Sequence, residues 1–292
     1  MLGRNEEAMQ QQVKGRVWLN KLMMAVFFSA TLIGLIFLGL LIYRVLTQGI
    51  GYLSWDYITS FPAPYPEEAG IWAGLIGSIM LMVIIAVFAV TIGICTAIYL
   101  EEYAPKNKLT GFIRVNIQNL AGVPSIVFGL LGLTFFVYMF GIGYRLLAGG
   151  LTMALLILPV IVVAAQEAVR SVPNELREAS LGMGASKWQT IARIILPAAL
   201  PGMLTGTIIA LSRAIGETAP LIIVGAATAI YTLPDSLISK YTVMPIQIYN
   251  WTGRPQEEWQ HVAAAGIVVL LIVLMMMNAI AVGIRNKFQK RL

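Results

Sequence analysis

The chain has 292 residues, 58% of them hydrophobic and only 12% charged, against roughly 25% charged in an ordinary soluble domain. A soluble protein of this length could not bury so much apolar surface, which excludes a soluble globular fold along with disorder. The formal charge of +6 is not a nucleic-acid signature, because no basic run is interleaved with stacking aromatics. Cys95 is the single cysteine and reads as a small packed hydrophobe, while His261 is the single histidine. A disulfide scaffold, a zinc site and a thiol–histidine pair therefore have no residues to build them.

A spanning helix needs about 20 residues free of charge. Uncharged runs predict an all-α, polytopic membrane protein with six transmembrane helices, near 22–45, 72–100, 116–140, 147–167, 199–224 and 262–284. Lys14, Arg16 and Lys21 precede the first, but its apolar core is too long for a signal peptide and it reads as a retained helix. In the third, Pro124 and Ser125 could expose polar groups, although a packing kink is the simpler reading. The chain divides into a cytoplasmic segment 1–21, a first helix 22–45, and a core 70–285 of five spans. The core contains a cytoplasmic loop 167–197, and a tail 286–292 follows.

Fifteen Lys and Arg residues fall in the N-terminus, the second and fourth connections and the C-terminus, against five elsewhere. The positive-inside rule then puts both termini in the cytoplasm. In the long outer connection, Tyr241–Trp251 (YTVMPIQIYNW) reads as a short amphipathic or re-entrant element with its aromatics at the interface.

The cytoplasmic loop between the fourth and fifth spans is the most informative segment. Pro173 suits the first turn of a helix over 174–181, with Glu175 and Glu178 near its positive end. Gly182 and Gly184 permit a reversal, a second helix begins at Ser186, and Pro197 and Pro201 mark a bend. On these grounds alone an ordinary solvated loop stands level with a projecting helix-turn-helix. Gly182 to Lys187 superficially suggests a phosphate-cradling loop, but the spacing fails, since Ser186 precedes the lysine and Trp188 follows it.

Glu178-Ala179-Ser180, then Gly184, then Ile194-x-Leu196-Pro197, resembles the EAA signature (E-A-A-x3-G-x9-I-x-L-P) of ATP-binding-cassette importer permeases, departing only at Ser180. The resemblance implies the six-helix importer-permease (MetI-like) fold. It also implies that the loop, through Glu178, Ala179, Ser180 and Gly184, couples to a separate ATPase dimer that binds ATP and Mg, with no cofactor in this chain. An extracytoplasmic binding protein would meet the outer face.

Arg213 and Glu217 interrupt the fifth apolar stretch four residues apart, on one helix face. Gly216 and Pro220 weaken the helix beside them, and Gly202, Gly206, Ala210 and Ala214 form a small-residue row for close helix packing. Arg213 either lies at membrane depth, the reading favoured by the apolar run after Glu217, or snorkels at the outer end; the two charges could also be a purely structural pair. Arg213–Leu221 (RAIGETAPL) resembles the phosphate-specific (Pst) permeases. So do Gly122–Gly129 (GVPSIVFG) and Phe61-Pro62 with Gly70–Ser78 (GIWAGLIGS), together more A-type than C-type. The resemblance implies a translocation path with Arg213, Glu217 and Ser125, helix breaks at Pro124, Gly216 and Pro220, and a homologous C-type permease and a phosphate-binding protein as partners. Another oxyanion (sulfate, molybdate or phosphonate), an ATP-independent carrier and a membrane enzyme are the competing readings. The enzyme lacks an acid, histidine or thiol cluster at membrane depth.

Overall fold

The computed structural model describes residues 2–226 and 230–289, with side chains over 15–226 and 230–287. Of the basic residues counted for orientation, the side chains of Arg4 and Lys14 and the whole of Lys290 and Arg291 lie outside these. All regular structure among the described residues is helical. In chain order come α1 (Leu2–Gly49), α2 (Trp55–Thr59), α3 (Trp72–Tyr103), α4 (Lys108–Leu120), α5 (Ser125–Met139) and α6 (Leu146–Arg170). Then follow α7 (Asn174–Gly182), α8 (Lys187–Gly216), α9 (Ala219–Ile223), α10 (Met244–Thr252) and α11 (Glu258–Gln289).

Five helices are long and apolar enough to cross a membrane, and the pair α4 and α5, bent by 107°, makes a sixth span if counted as one. The third span is therefore a sharp elbow and not the single, merely kinked helix expected over 116–140. Pro124 has no N–H to continue α4 and disfavours helix in Val123. Gly122 and Val123 instead donate to Asn119 and Leu120 carbonyls, closing a turn. Polar Asn116, Gln118 and Asn119, which a search for charge overlooks, belong to the amphipathic α4.

The fifth span is displaced relative to the expected 199–224. It starts at Lys187 and stops at Gly216, where Glu217 turns to extended backbone (φ −75°, ψ 126°). Pro197 and Pro201 do not end it; a π-helical turn over Ile191–Ile195 precedes Pro197, where the hydrogen-bond ladder is interrupted anyway. The first span is part of the longer α1, which is exposed along nearly all of its described length and touches the body at its end. There Gln48 O meets His261 Nδ1 at 3.1 Å and Gly49 lies against the Ala264 backbone. Cys95 is exposed on the flank of α3, so it is not the packed residue the sequence suggested.

The core is centred on α6, whose Met153, Ile157 and Ile161 are fully buried among α3, α5 and α8. Backbones meet where side chains are smallest. The row Gly202, Gly206, Ala210 and Ala214 faces α6, and a Cβ on Gly206 would lie 2.3 Å from that of Ala164. Gly150 and Gly93 are filled in the same way by Ile84 and Ile161.

The outer connection re-enters the bundle. Residues 241–248 are all buried, with Met244 N donating to Ser78 Oγ at 2.9 Å and Gln247 Nε2 to Gly70 O at 2.8 Å. The carbonyls of Leu237 and Ser239 accept the N–H groups of Leu147 and Leu146, which satisfies orphan donors at the start of α6. Of its aromatics Trp251 is buried and Tyr249 is exposed, so the segment is a wedge held by hydrogen bonds and not an interfacial helix.

Candidate functional site

The coupling loop is stiff for local reasons. α7 begins after Pro173 and ends in a Schellman closure, with Ala185 N donating to Ser180 O at 3.2 Å and Gly184 N to Leu181 O at 2.9 Å. That closure puts Gly184 at φ +85°, a left-handed conformation costing any residue with a Cβ about 1–2 kcal/mol. The chain then restarts at once. Ser186 caps α8 by accepting from Gln189 N while Gln189 Oε1 accepts from Ser186 N, a complete capping box.

Glu178, Ala179 and Gly184 are exposed and available to a partner. Ser180 is not. It is 2% exposed, and its hydroxyl bonds Thr190 Oγ1 at 2.9 Å, so it clamps α7 to α8 from inside instead of touching another chain. The sequence reading also missed two exposed apolar side chains, Met183 (81%) and Trp188 (65%), at the tip of the turn. Their only sequence signal was their place beside the two glycines.

At the other site, Arg213 Nε lies 3.3 Å from Glu217 Oε1, so the expected pair forms. Arg213 shares a tight fissure with Leu120, Ala121 and Val123 of the elbow and with Leu156, Ile157 and Val160. Those last three sit midway along α6, whose 25 residues span about 37 Å at 1.5 Å each. Arg213, in the last turn of α8, thus stands level with the middle of α6. In the isolated chain it is 59% exposed, whereas Glu217 is 18% exposed. Facing lipid at the centre of a bilayer, such a charge would cost about 2.5–3.5 kcal/mol. Among the described residues Nε alone is engaged, which leaves the terminal fork of Arg213 open to a ligand.

The predicted breaks surround this point. Pro124 caps the start of α5, and Ser125, half-buried, is its first residue. Gly216 ends α8 with open space around it and without positive φ, so it permits the break but is not demanded by it. Pro220 sits in the first turn of α9 and is buried against Gly129 of α5.

A third cluster was not foreseen. At the C-terminal end of α3, Glu101 accepts from Arg114 at 2.7 Å, from Gln166 at 2.9 Å and from Arg170 at 2.9 and 3.1 Å. Its neighbour Glu102 accepts from Arg177 at 3.1 and 3.3 Å. The only sequence trace of the cluster is an acidic doublet closing an apolar run; its partners lie 13 to 75 residues away.

An apolar bundle, a charged elbow at mid-depth and a stiff turn projecting from the bundle define the class as a membrane-embedded transport subunit. Residues 89–292 match the family described as "Binding-protein-dependent transport system inner membrane component", and the chain belongs to that family. It is 37% identical over 68% of its length to the probable ABC transporter permease protein YqgI of Bacillus subtilis, covering 67% of that protein. To the phosphate transport system permease protein PstA of Pasteurella multocida it is 32% identical, covering 90% of this chain and 92% of that one. PstA 1 of Mycobacterium tuberculosis (strain H37Rv) is 34% identical, with 81% and 78% covered.

Two solved structures share the fold. One is a bacterial alginate ABC transporter in complex with an alginate pentasaccharide-bound periplasmic protein (TM-score 0.66, 17% identity, 90% of this chain and 95% of that one). The other is the inward-facing MetNI methionine ABC transporter (TM-score 0.62, 21% identity, 75% and 97%). The chain is a multi-pass inner-membrane permease subunit of the MetI-like fold, and it is not an enzyme.

Proposed function

We propose that this chain is the A-type permease subunit of an ATP-driven importer of inorganic phosphate. It pairs with a homologous C-type permease, receives phosphate from an extracytoplasmic binding protein and is driven by an ATPase dimer that holds the ATP and Mg. Both termini lie in the cytoplasm, as the distribution of Lys and Arg supports. The observation that carries the proposal is that one chain holds an exposed guanidinium fork level with the middle of α6 while presenting a stiff turn with Met183 and Trp188 outward. Phosphate carries one to two negative charges, and a planar fork of donors matches its oxygens. The likeness to PstA proteins over nine-tenths of the chain supports phosphate over other oxyanions.

The deciding experiment purifies the tagged chain from its host with whatever subunits accompany it and reconstitutes the assembly in proteoliposomes with the binding protein. ATP hydrolysis is expected to rise with phosphate and not with sulfate. Hydrolysis indifferent to phosphate, or driven by sulfate, overturns the reading.

The turn supplies a second expectation. Gly184→Val should lower the amount of ATPase subunit retained on the tagged chain by roughly tenfold, because a strain of about 1–2 kcal/mol displaces Met183 and Trp188 from one rigid surface. Gly182→Ala, at a helical position with open space, should retain the wild-type amount. Equal retention by both variants would show that the reversal is not needed for docking.

A further inference from the structure

We propose that the acidic doublet Glu101–Glu102 is a mechanical relay, carrying movement of the coupling helix α7 into α4 and through it to the elbow beside Arg213. The inference rests on the importer reading, since it assigns the route by which that motion reaches the path. A projecting helix joined to the bundle only by its two chain ends could tilt without moving anything else. α7 is not joined in that way. Arg177, whose side chain is only 20% exposed, is saturated. It donates to the carbonyls of Val169 at 2.8 Å and Val172 at 2.9 Å, to Asn174 Oδ1 at 2.8 Å, and to Glu102. One side chain thus welds α7 to the end of α6 and to the end of α3.

The adjacent Glu101 holds the remaining members. It is 10% exposed and binds Arg170 and Gln166 of α6 on one side and Arg114 of α4 on the other. Arg114 also donates to the Leu100 carbonyl, which fixes its head against the end of α3. The whole lines a polar cleft of about 660 Å³. From Arg114, α4 runs without interruption to Leu120, where the 107° bend begins and where Leu120 and Ala121 share the fissure with Arg213. α4 is therefore a strut gripped by charge at its middle, with the candidate path at its far end.

The doublet sits in a π-helical turn, Tyr99–Tyr103, which widens the end of α3. Consecutive carboxylates can then serve different helices. Glu101 accepts through both oxygens and Glu102 through Oε1, and charge networks this buried favour discrete arrangements over gradual slackening, as a relay requires.

The test measures ATP hydrolysed per phosphate imported in proteoliposomes holding the complete complex. For Glu102→Gln and for Arg114→Gln that ratio should rise roughly fivefold, with the amount of co-purified ATPase subunit unchanged, because the motor still turns but its motion is lost before α4. Arg177→Lys, which keeps a charge but not the fork, should fall between wild type and Glu102→Gln. A merely structural role would lower hydrolysis and uptake together and leave the ratio at its wild-type value, which would overturn the relay. Should Glu102→Gln not assemble, Arg114→Gln still decides, since it leaves the grip on α7 intact. A wild-type complex whose hydrolysis ignores phosphate would instead refute the importer reading, a result distinct from an unchanged ratio in the variants.

Discussion

Arg213→Gln should lower phosphate uptake by roughly 10- to 100-fold, the worth of about 1.5–3 kcal/mol for hydrogen bonds to a charged group, while the complex assembles normally. The reason is the location of the side chain. It lies level with the middle of α6, beside a break in the helices, with its terminal fork open and only Nε held by Glu217. An anion entering such a site leaves water, and a guanidinium replaces part of the lost hydration with paired donors. Arg213→Lys keeps the charge but loses the planar fork, so it should recover only part of the rate. Initial uptake of labelled phosphate, normalised to the amount of complex, is the measurement. Full activity in Arg213→Gln would make the Arg213–Glu217 pair structural and remove the residue from the path.

The second large effect is on folding. Gly77→Val should destabilise the chain by about 3 kcal/mol and abolish most of its accumulation in the membrane. A Cβ on Gly77 would lie 2.0 Å from the Thr242 carbonyl oxygen, and backbone cannot step aside as a flexible side chain can. The re-entrant wedge enters only because α3 offers glycine there and again at Gly74, where a Cβ would meet Gln247 Oε1 at 2.5 Å. Losing the wedge would also uncap the start of α6, whose first N–H groups bond its carbonyls. Thermal denaturation of the purified chain in detergent is the check, with Gly111→Ala as comparison. Gly111 has open space around it, and alanine there should be neutral or slightly stabilising. An unchanged melting temperature for Gly77→Val would mean that the wedge is not integral to the fold.

Much of this protein was legible before any coordinates. Charge-free runs located the apolar helices because lipid admits no uncompensated backbone or charge, so membrane segments announce themselves by composition. The coupling turn was legible because its causes are local. Pro173 opens α7, Gly184 takes the left-handed closure and Ser186 begins α8, all within 14 residues. The Arg213–Glu217 pair was readable for the same reason, since helical spacing alone brings positions four apart together.

What the linear chain could not supply were relations between distant segments. Where Arg213 stands against the other helices was decided by packing beside Leu156 and Val160, which sets this last-turn residue of α8 level with the middle of α6. The elbow at Pro124 looked like a kink, because proline limits its neighbours' torsions but does not choose the angle; the packing of α9 against α5 accompanies the 107° turn. Ser180 matched a motif yet points inward to Thr190, and Glu101 finds Arg114 and Arg170 only once α3, α4 and α6 have come together. Composition and short-range geometry set which segments become helices and how they end. Burial and charge pairing between those helices are collective, and they assigned each polar residue its partner.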